Sequence, residues 1–302
     1  MTIKSLYWFK KNSAKEALIK YFLATCALVS IITTACIIFV LLKESSVFFS
    51  HVDISSFLFG TQWTPLFEPK SFGVLPLLWG TLIVTVGAAI IAMPIGLASA
   101  VYLSEYASSK MRSIIKPVLE VLAGIPTVVY GYFALTFITP LLKNFFDDVH
   151  VFNAASAAIV VAIMILPMIA SLSDNALRAV PKAMRQGGYA LGATSYEVTT
   201  SIVIPAGFSG VMASYLLAIS RAIGETMAVT LAAGATPSLS LDIFQSIQTM
   251  TAYIVQVSLG DTPAGSIAYQ TLFAVAALLF VITLLFNLLS QWILKRYREV
   301  YE

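Results

Sequence analysis

A chain of 302 residues with 59% apolar and only 11% charged side chains lacks the polar surface that a water-soluble globule of this size needs. Its mean hydropathy of +0.88 points the same way, so the solvent for most of it is lipid. The net charge of +3 is small, and the basic residues fall at the ends of apolar runs, which excludes a nucleic-acid-binding surface.

Residues 1–20 form a basic segment with Lys4, Lys10, Lys11, Lys15 and Lys20, interleaved with Ile3, Leu6, Trp8 and Phe9 as an inner interfacial helix would be. Tyr21–Leu42 follows without a charge. As a helix it reaches about 33 Å, beyond the roughly 7–15 residues of a signal-peptide core, and is expected to be a retained first transmembrane helix. Cys26 and Cys36 both lie in it, at neither metal-ligand nor disulfide-framework spacing. Residues 43–74 read as an outer loop. The segment 75–294 reads as a core of five further transmembrane helices, at 75–103, 117–142, 154–172, 207–234 and 268–294. Residues 295–302 form a basic tail. Pro94, Pro126 and Pro167 fall inside spans, where neighbouring helices can satisfy the carbonyls they free. The fold class is an all-α integral membrane protein with six transmembrane helices.

Lys and Arg placement orients the chain. Fourteen fall on the side of the N-terminal segment, of loops 104–116 and 173–206 and of the tail; three, Lys43, Lys70 and Lys143, fall opposite. Both termini are therefore expected in the cytoplasm. His51 and His150, at outer span ends, have no second ligand at metal spacing. The outer loop 235–267 carries Ile243, Ile247, Met250, Ile254 and Val257 at helical spacing, which fits a helix lying on the outer surface or one packed on the mouth of the bundle. No internal repeat or low-complexity linker is present.

The inner loop 173–206 is long for a bundle connection. Asp174 can cap a short helix carrying Ala176, Leu177 and Val180. Pro181 suits the start of a second, and Gly192 its end. Thr194 or Ser195 can cap the next, with Glu197 in its first turn. A rigid knob on the inner face, fitted to a groove on a cytoplasmic partner, is the role this pattern suits.

That stretch resembles the cytoplasmic loop of ABC-importer permeases, Glu-Ala-Ala, three residues, Gly, nine residues, Ile-x-Leu-Pro. Here Gln186, Gly187 and Gly188 precede Gly192, and Ile202, Ile204 and Pro205 follow at the same spacing. The departures are Gln for Glu, Gly for both Ala, and Ile for Leu. Each glycine in place of alanine is expected to loosen the helix by about 1 kcal/mol. Further matches are Phe59–Pro65 with Phe72-Gly73 and Gly80–Leu82, then Leu122–Gly131, Arg221–Val229 and Gln248–Ile254. Together they make the chain similar, over most of 55–300, to the PstC-type permeases of phosphate importers, within the binding-protein-dependent transport permeases. The resemblance implies the type I ABC importer permease fold and a bacterial inner (plasma) membrane location. It implies a PstA-like second permease, two PstB-like ATPase subunits and a PstS-like external phosphate-binding protein as partners, besides membrane lipid. It assigns Gln186, Gly187, Gly188, Gly192, Ala193, Ile202, Ile204 and Pro205 to the ATPase coupling loop.

Arg221 and Glu225 fall in the expected fifth span at i, i+4, with Thr226 beside them. An ionisable residue at membrane depth marks function by default. The guanidinium fits phosphate oxygens bidentately, and Glu225 would hold it extended when no anion is present. A structural ion pair orienting the fifth helix is the alternative, although Arg before Glu is the weaker order for a local pair. Glu120, near the inner end of the third span, reads as an interfacial carboxylate.

No GxxxxGK[ST] loop is present, so ATP hydrolysis is expected on a separate chain and no cofactor on this one. No cluster of His, Cys, Asp or Glu supports an enzyme or a metal site. A permease for another oxyanion such as sulfate or molybdate would use the same loop. A stand-alone carrier or channel would show inverted repeats.

Overall fold

The computed structural model describes residues 3–297, with the side chains of 15–293 and Lys295. The side chains of Lys4, Lys10, Lys11 and Arg296, and the whole of the tail from 298 to 302 with Arg298, lie outside what is described.

The first helix, α1 (Ile3–Phe49), is continuous through the expected basic segment and the start of the expected outer loop, well beyond 21–42. The reason is plain in the sequence: no glycine or proline precedes Gly60. After a short α2 (Ile54–Phe59), α3 (Leu75–Val101) crosses and widens at its end into a π turn, Tyr102–Tyr106. The expected third span is two helices, α4 (Ser109–Gly124) and a segment of α5 (Thr127–Phe133), a π turn and α6 (Thr139–Lys143), bent by 89°. Pro126 pushes Ile125 out of the helical region to φ −66°, ψ 130°, so lipid did not spare this proline the usual break. Pro94 and Pro167 stay inside intact helices.

α7 (Ala154–Ala179) runs past 172 to Ala179, so the short helix expected to start at Asp174 does not exist; Asp174 lies within α7. The knob comprises α8 (Lys182–Ala190), α9 (Ser195–Val198), a π turn at Thr199–Val203 and α10 (Ile204–Ala206). α11 (Phe208–Ile223) leaves the knob segment at a 68° bend. The π turns at 134–138 and 199–203 each end two residues before a proline, Pro140 and Pro205, where the missing amide leaves a carbonyl free and the helix widens. The expected fifth span is interrupted at Gly224–Thr226 before α12 (Met227–Ala232). α13 (Met250–Leu259) and α14 (Ile267–Tyr297) are the last of the described elements. Among the described residues, four helices are long and apolar enough to span a bilayer, six if each bent pair is one span.

Small residues let α3 and α7 approach closely. A Cβ on Gly87 would stand 2.9 Å from that of Ala158, and one on Gly96 2.6 Å from Ile169. Ala88, Ala92, Ala162 and Ala170 are wholly buried around them. A second core sits at the other end, where Phe48, Phe57, Trp63 and Tyr253 pack edge to face with centroids 4.9–6.2 Å apart. There α1 is tied in, with the Ser45 hydroxyl donating to Phe273 O at 2.9 Å, while its apolar length stands clear of the bundle. Of the apolar stripe in loop 235–267, only the part from Met250 is helical; Met250, Val257 and the preceding Ile247 are buried, so α13 closes the mouth of the bundle and does not lie on its outer surface.

Candidate functional site

Two regions carry the residues singled out above, the interruption after α11 and the knob.

At the interruption, Gly224 caps α11, and Arg221 stands exposed on its last turn. Because the helix ends there, Arg221 and Glu225 do not share the expected helix face, and among the described residues no ion pair or hydrogen bond joins them. Glu225 turns inward, 7% exposed. Its Oε1 accepts the Ala228 amide at 3.2 Å and its carbonyl accepts the Thr251 hydroxyl at 2.7 Å. It therefore closes the first turn of α12 and ties it to α13. Thr226 donates to Gly224 O at 3.1 Å, within the same turn.

Arg221 lines a cavity of about 370 Å³ walled by the middle of α7 and by α4, including Lys116 and Glu120. Glu120, exposed on α4, lines this cavity as well. Lys116 Nζ lies 3.2 Å from Asp174 Oδ2, which also accepts from Arg112 Nη2 at 2.6 Å. Asp174 is 0% exposed, and its Oδ1 has no hydrogen-bond partner among the described residues. One buried carboxylate between two cations leaves a net positive charge at the edge of the cavity. Neither Lys116 nor Asp174 was marked as a site residue by its sequence context; their pairing spans 58 positions and only the fold brings it about.

In the knob, Gly192 has φ +84°. Its amide donates to Tyr189 O at 3.0 Å and that of Ala193 to Gly188 O at 3.1 Å, the double bond of a Schellman cap. Thr194 then caps α9, accepting the Glu197 amide at 3.3 Å, while Glu197 Oε2 accepts the Thr194 amide at 2.8 Å. A Cβ on Gly188 would stand 2.6 Å from Ile202 Cδ1 and 3.0 Å from Val198 Cγ2; around Gly187 there is open space. Gly188, Ala193, Ile202 and Ile204 thus pack the knob internally against Leu177 and Val198. Gln186, Gly187, Gly192 and Pro205 are exposed. The outward apolar surface is supplied by residues at the motif's unspecified positions, Leu191 at 90%, Tyr196 at 70% and Tyr189 at 48% exposure. An isolated Leu beside a glycine turn was the available signal for the first of these.

The knob is anchored by Arg185. It grips Glu105 through two hydrogen bonds, of 3.1 and 3.0 Å, and donates to the last carbonyls of α7, Val180 O and Leu177 O.

Residues 92–299 match the family of binding-protein-dependent transport system inner membrane components. The chain is 35% identical over 273 residues to the probable ABC transporter permease protein YqgH of Bacillus subtilis, covering 90% of this chain and 88% of that protein. It is 32% identical over 313 residues to the phosphate transport system permease protein PstC of Mesorhizobium japonicum, covering 94% of each. Among solved structures it resembles an inward-facing form of the MetNI methionine ABC transporter, with a TM-score of 0.60 at 17% identity over 75% of this chain and 96% of that one. It also resembles a bacterial ABC transporter that imports alginate, with a TM-score of 0.59 at 14% identity over 90% of this chain and 99% of that one.

Proposed function

The chain belongs to the binding-protein-dependent transport system inner membrane components, and from that premise we propose that it conducts inorganic phosphate as one permease subunit of an ABC importer. The type I permease fold and the multi-pass location in the inner membrane come with the family. The observation that carries the substrate is Arg221, an exposed guanidinium on the last turn of an interrupted helix, facing a half-open cavity walled by α4 and α7. An anion crossing apolar surroundings needs a fixed donor, and a guanidinium stays charged while meeting two oxygens of one phosphate. The phosphate permease among the relatives supports the same reading.

The knob and Arg221 occupy opposite ends of one segment, from Ser195 through the bend at Gly207 to Ile223. α11 is 16 residues, about 24 Å, long. ATPase subunits gripping Leu191 and Tyr196 would therefore swing α11 and carry the Arg221 guanidinium with it, opening the cavity to one side and then the other. In this reading the knob and both termini face the cytoplasm, a PstA-like subunit completes the pathway, two PstB-like ATPases dock on the knobs, a PstS-like protein delivers phosphate from outside, and this chain binds no cofactor.

Uptake of labelled phosphate tests the substrate. It is expected to vanish when this chain is deleted, to return on complementation, and to be competed by arsenate. Competition by sulfate but not by arsenate overturns the assignment.

A further inference from the structure

The cavity beside Arg221 contains a carboxyl group to which transport of an anion gives no obvious task. Glu120 lines it with Arg221, Lys116 and Ser171. Lys116 and Glu120 stand one turn apart on α4, on the same side of that helix. The Lys116 ammonium is held at its position by buried Asp174, whose single charge it shares with Arg112. The wall thus presents two cations, a hydroxyl and one carboxylate.

For an anion that only accepts hydrogen bonds, the carboxylate is a defect. Sulfate at neutral pH carries no proton, so its oxygens would face the oxygens of Glu120 with nothing to share between them. Phosphate near neutral pH retains one or two protons. Its bare oxygens accept from the guanidinium and the ammonium while its P–OH donates to the carboxylate, and every group in the wall is then satisfied. A site built around a donor on the ligand rejects an isosteric ligand that lacks it, because the wall acceptor is left unpaired.

We infer that this cavity is a binding site for a protonated tetrahedral oxyanion, with Glu120 as the residue that admits hydrogen phosphate and turns sulfate away. The inference rests on the transport role proposed above and names the form of the substrate that the permease itself accepts, independently of any external binding protein.

The test uses inside-out membrane vesicles holding the assembled transporter, with Cys26 and Cys36 replaced by serine and with Met168, which lines the cavity, replaced by cysteine. The rate at which a neutral maleimide labels position 168 is followed against inorganic phosphate and inorganic sulfate at matched ionic strength. Phosphate is expected to slow labelling at concentrations about tenfold below those sulfate requires. Glu120→Gln, nearly isosteric, is expected to bring the two anions within about twofold of one another, because the amide supplies a donor as well as an acceptor. Lys116→Gln is expected to weaken protection by both. Unchanged membrane content and unchanged labelling without anion establish that each variant is assembled. Equal protection by the two anions in the parent, or a preference that survives Glu120→Gln, overturns the role of Glu120. Absence of protection by either anion overturns the cavity as the site, while phosphate uptake that still depends on this chain leaves its transport role standing. Protection by sulfate alone overturns both.

Discussion

Arg185 and Glu105, 80 positions apart in the chain, are joined fork to fork, Nε to Oε2 at 3.1 Å and Nη2 to Oε1 at 3.0 Å. Both side chains are largely buried, at 16% and 8% exposure. The pair fastens the knob to the end of α3, and its guanidinium also closes the carbonyl end of α7. In the proposed transporter, force applied to the knob would reach two transmembrane helices, α3 and α7, through it. Glu105→Ala leaves the guanidinium its carbonyl acceptors but removes the tie to α3. We expect the variant complex to hydrolyse ATP while importing severalfold less phosphate per ATP, and amide exchange in α8 to quicken by an amount corresponding to about 1–3 kcal/mol. Wild-type uptake per ATP together with unchanged exchange would falsify a mechanical role for the pair.

The two glycines before the knob's turn should respond oppositely to substitution. Around Gly187 there is open space, so Gly187→Ala should stabilise α8 by up to about 1 kcal/mol through backbone entropy and helix propensity. Gly188→Val places branched methyls against Ile202 and Val198 and should loosen the knob. Gly192→Val forces a β-branched residue to φ +84° at a cost of about 1–3 kcal/mol and should release the ATPase on copurification. Equal effects of the first two substitutions on thermal stability would contradict the packing at Gly188.

The glycine turn and the Thr194–Glu197 cap were legible in the sequence because each is local: a positive φ and two reciprocal bonds lie within a few residues. The six apolar segments were legible for the same reason. What was not legible depends on distance or on competition between local rules. Asp174 looks like a helix start when the loop is read alone, yet α7 continues through it because Arg112 and Lys116, some 60 positions earlier, neutralise a carboxylate buried there. Pro126 breaks its span while Pro94 and Pro167 do not; Gly124, where α4 ends two residues before Pro126, has no counterpart in the turn before the other two. The interruption at Gly224–Thr226 contains no proline at all; it is held by Glu225 and by a hydroxyl from α13. The expected Arg221–Glu225 pair failed there, since i, i+4 spacing means proximity only while the helix persists.

Glu225 bears on α12, not on Arg221. Glu225→Ala should leave the Ala228 amide without its acceptor, cost about 0.5–2 kcal/mol as lost caps do, and speed hydrogen exchange in the first turn of α12. In a double-mutant cycle with Arg221→Ala, read by thermal unfolding, the coupling should stay below about 0.5 kcal/mol, as for groups without contact. A coupling well above that would restore the ion pair.

Arg221→Lys keeps the charge but loses the planar fork. Uptake should fall at least about tenfold, while the amount of assembled complex is unchanged, because Arg221 is exposed and makes no hydrogen bond or ion pair among the described residues. Uptake near the parent level would show that a point charge suffices and that the guanidinium does not engage the anion bidentately.

The Arg112–Asp174–Lys116 cluster should be asymmetric in its response. Asp174 is fully buried, whereas Arg112 and Lys116 keep 17% and 31% of their side-chain surface. Removing the anion by Asp174→Asn leaves two cations that can still reach water, and Arg112 retains Leu103 O as an acceptor at 3.2 Å. Removing both cations, by Arg112→Met with Lys116→Met, strands a carboxylate in a place where Oδ1 already has no partner among the described residues. The first change should cost about 1–2 kcal/mol and the second about 3–5 kcal/mol. Thermal unfolding of the purified complex orders the two. If the Asn variant proves the less stable, the carboxylate contributes more than charge balance, and the packing of α4 on α7 depends on Asp174 itself and not on the cations it holds.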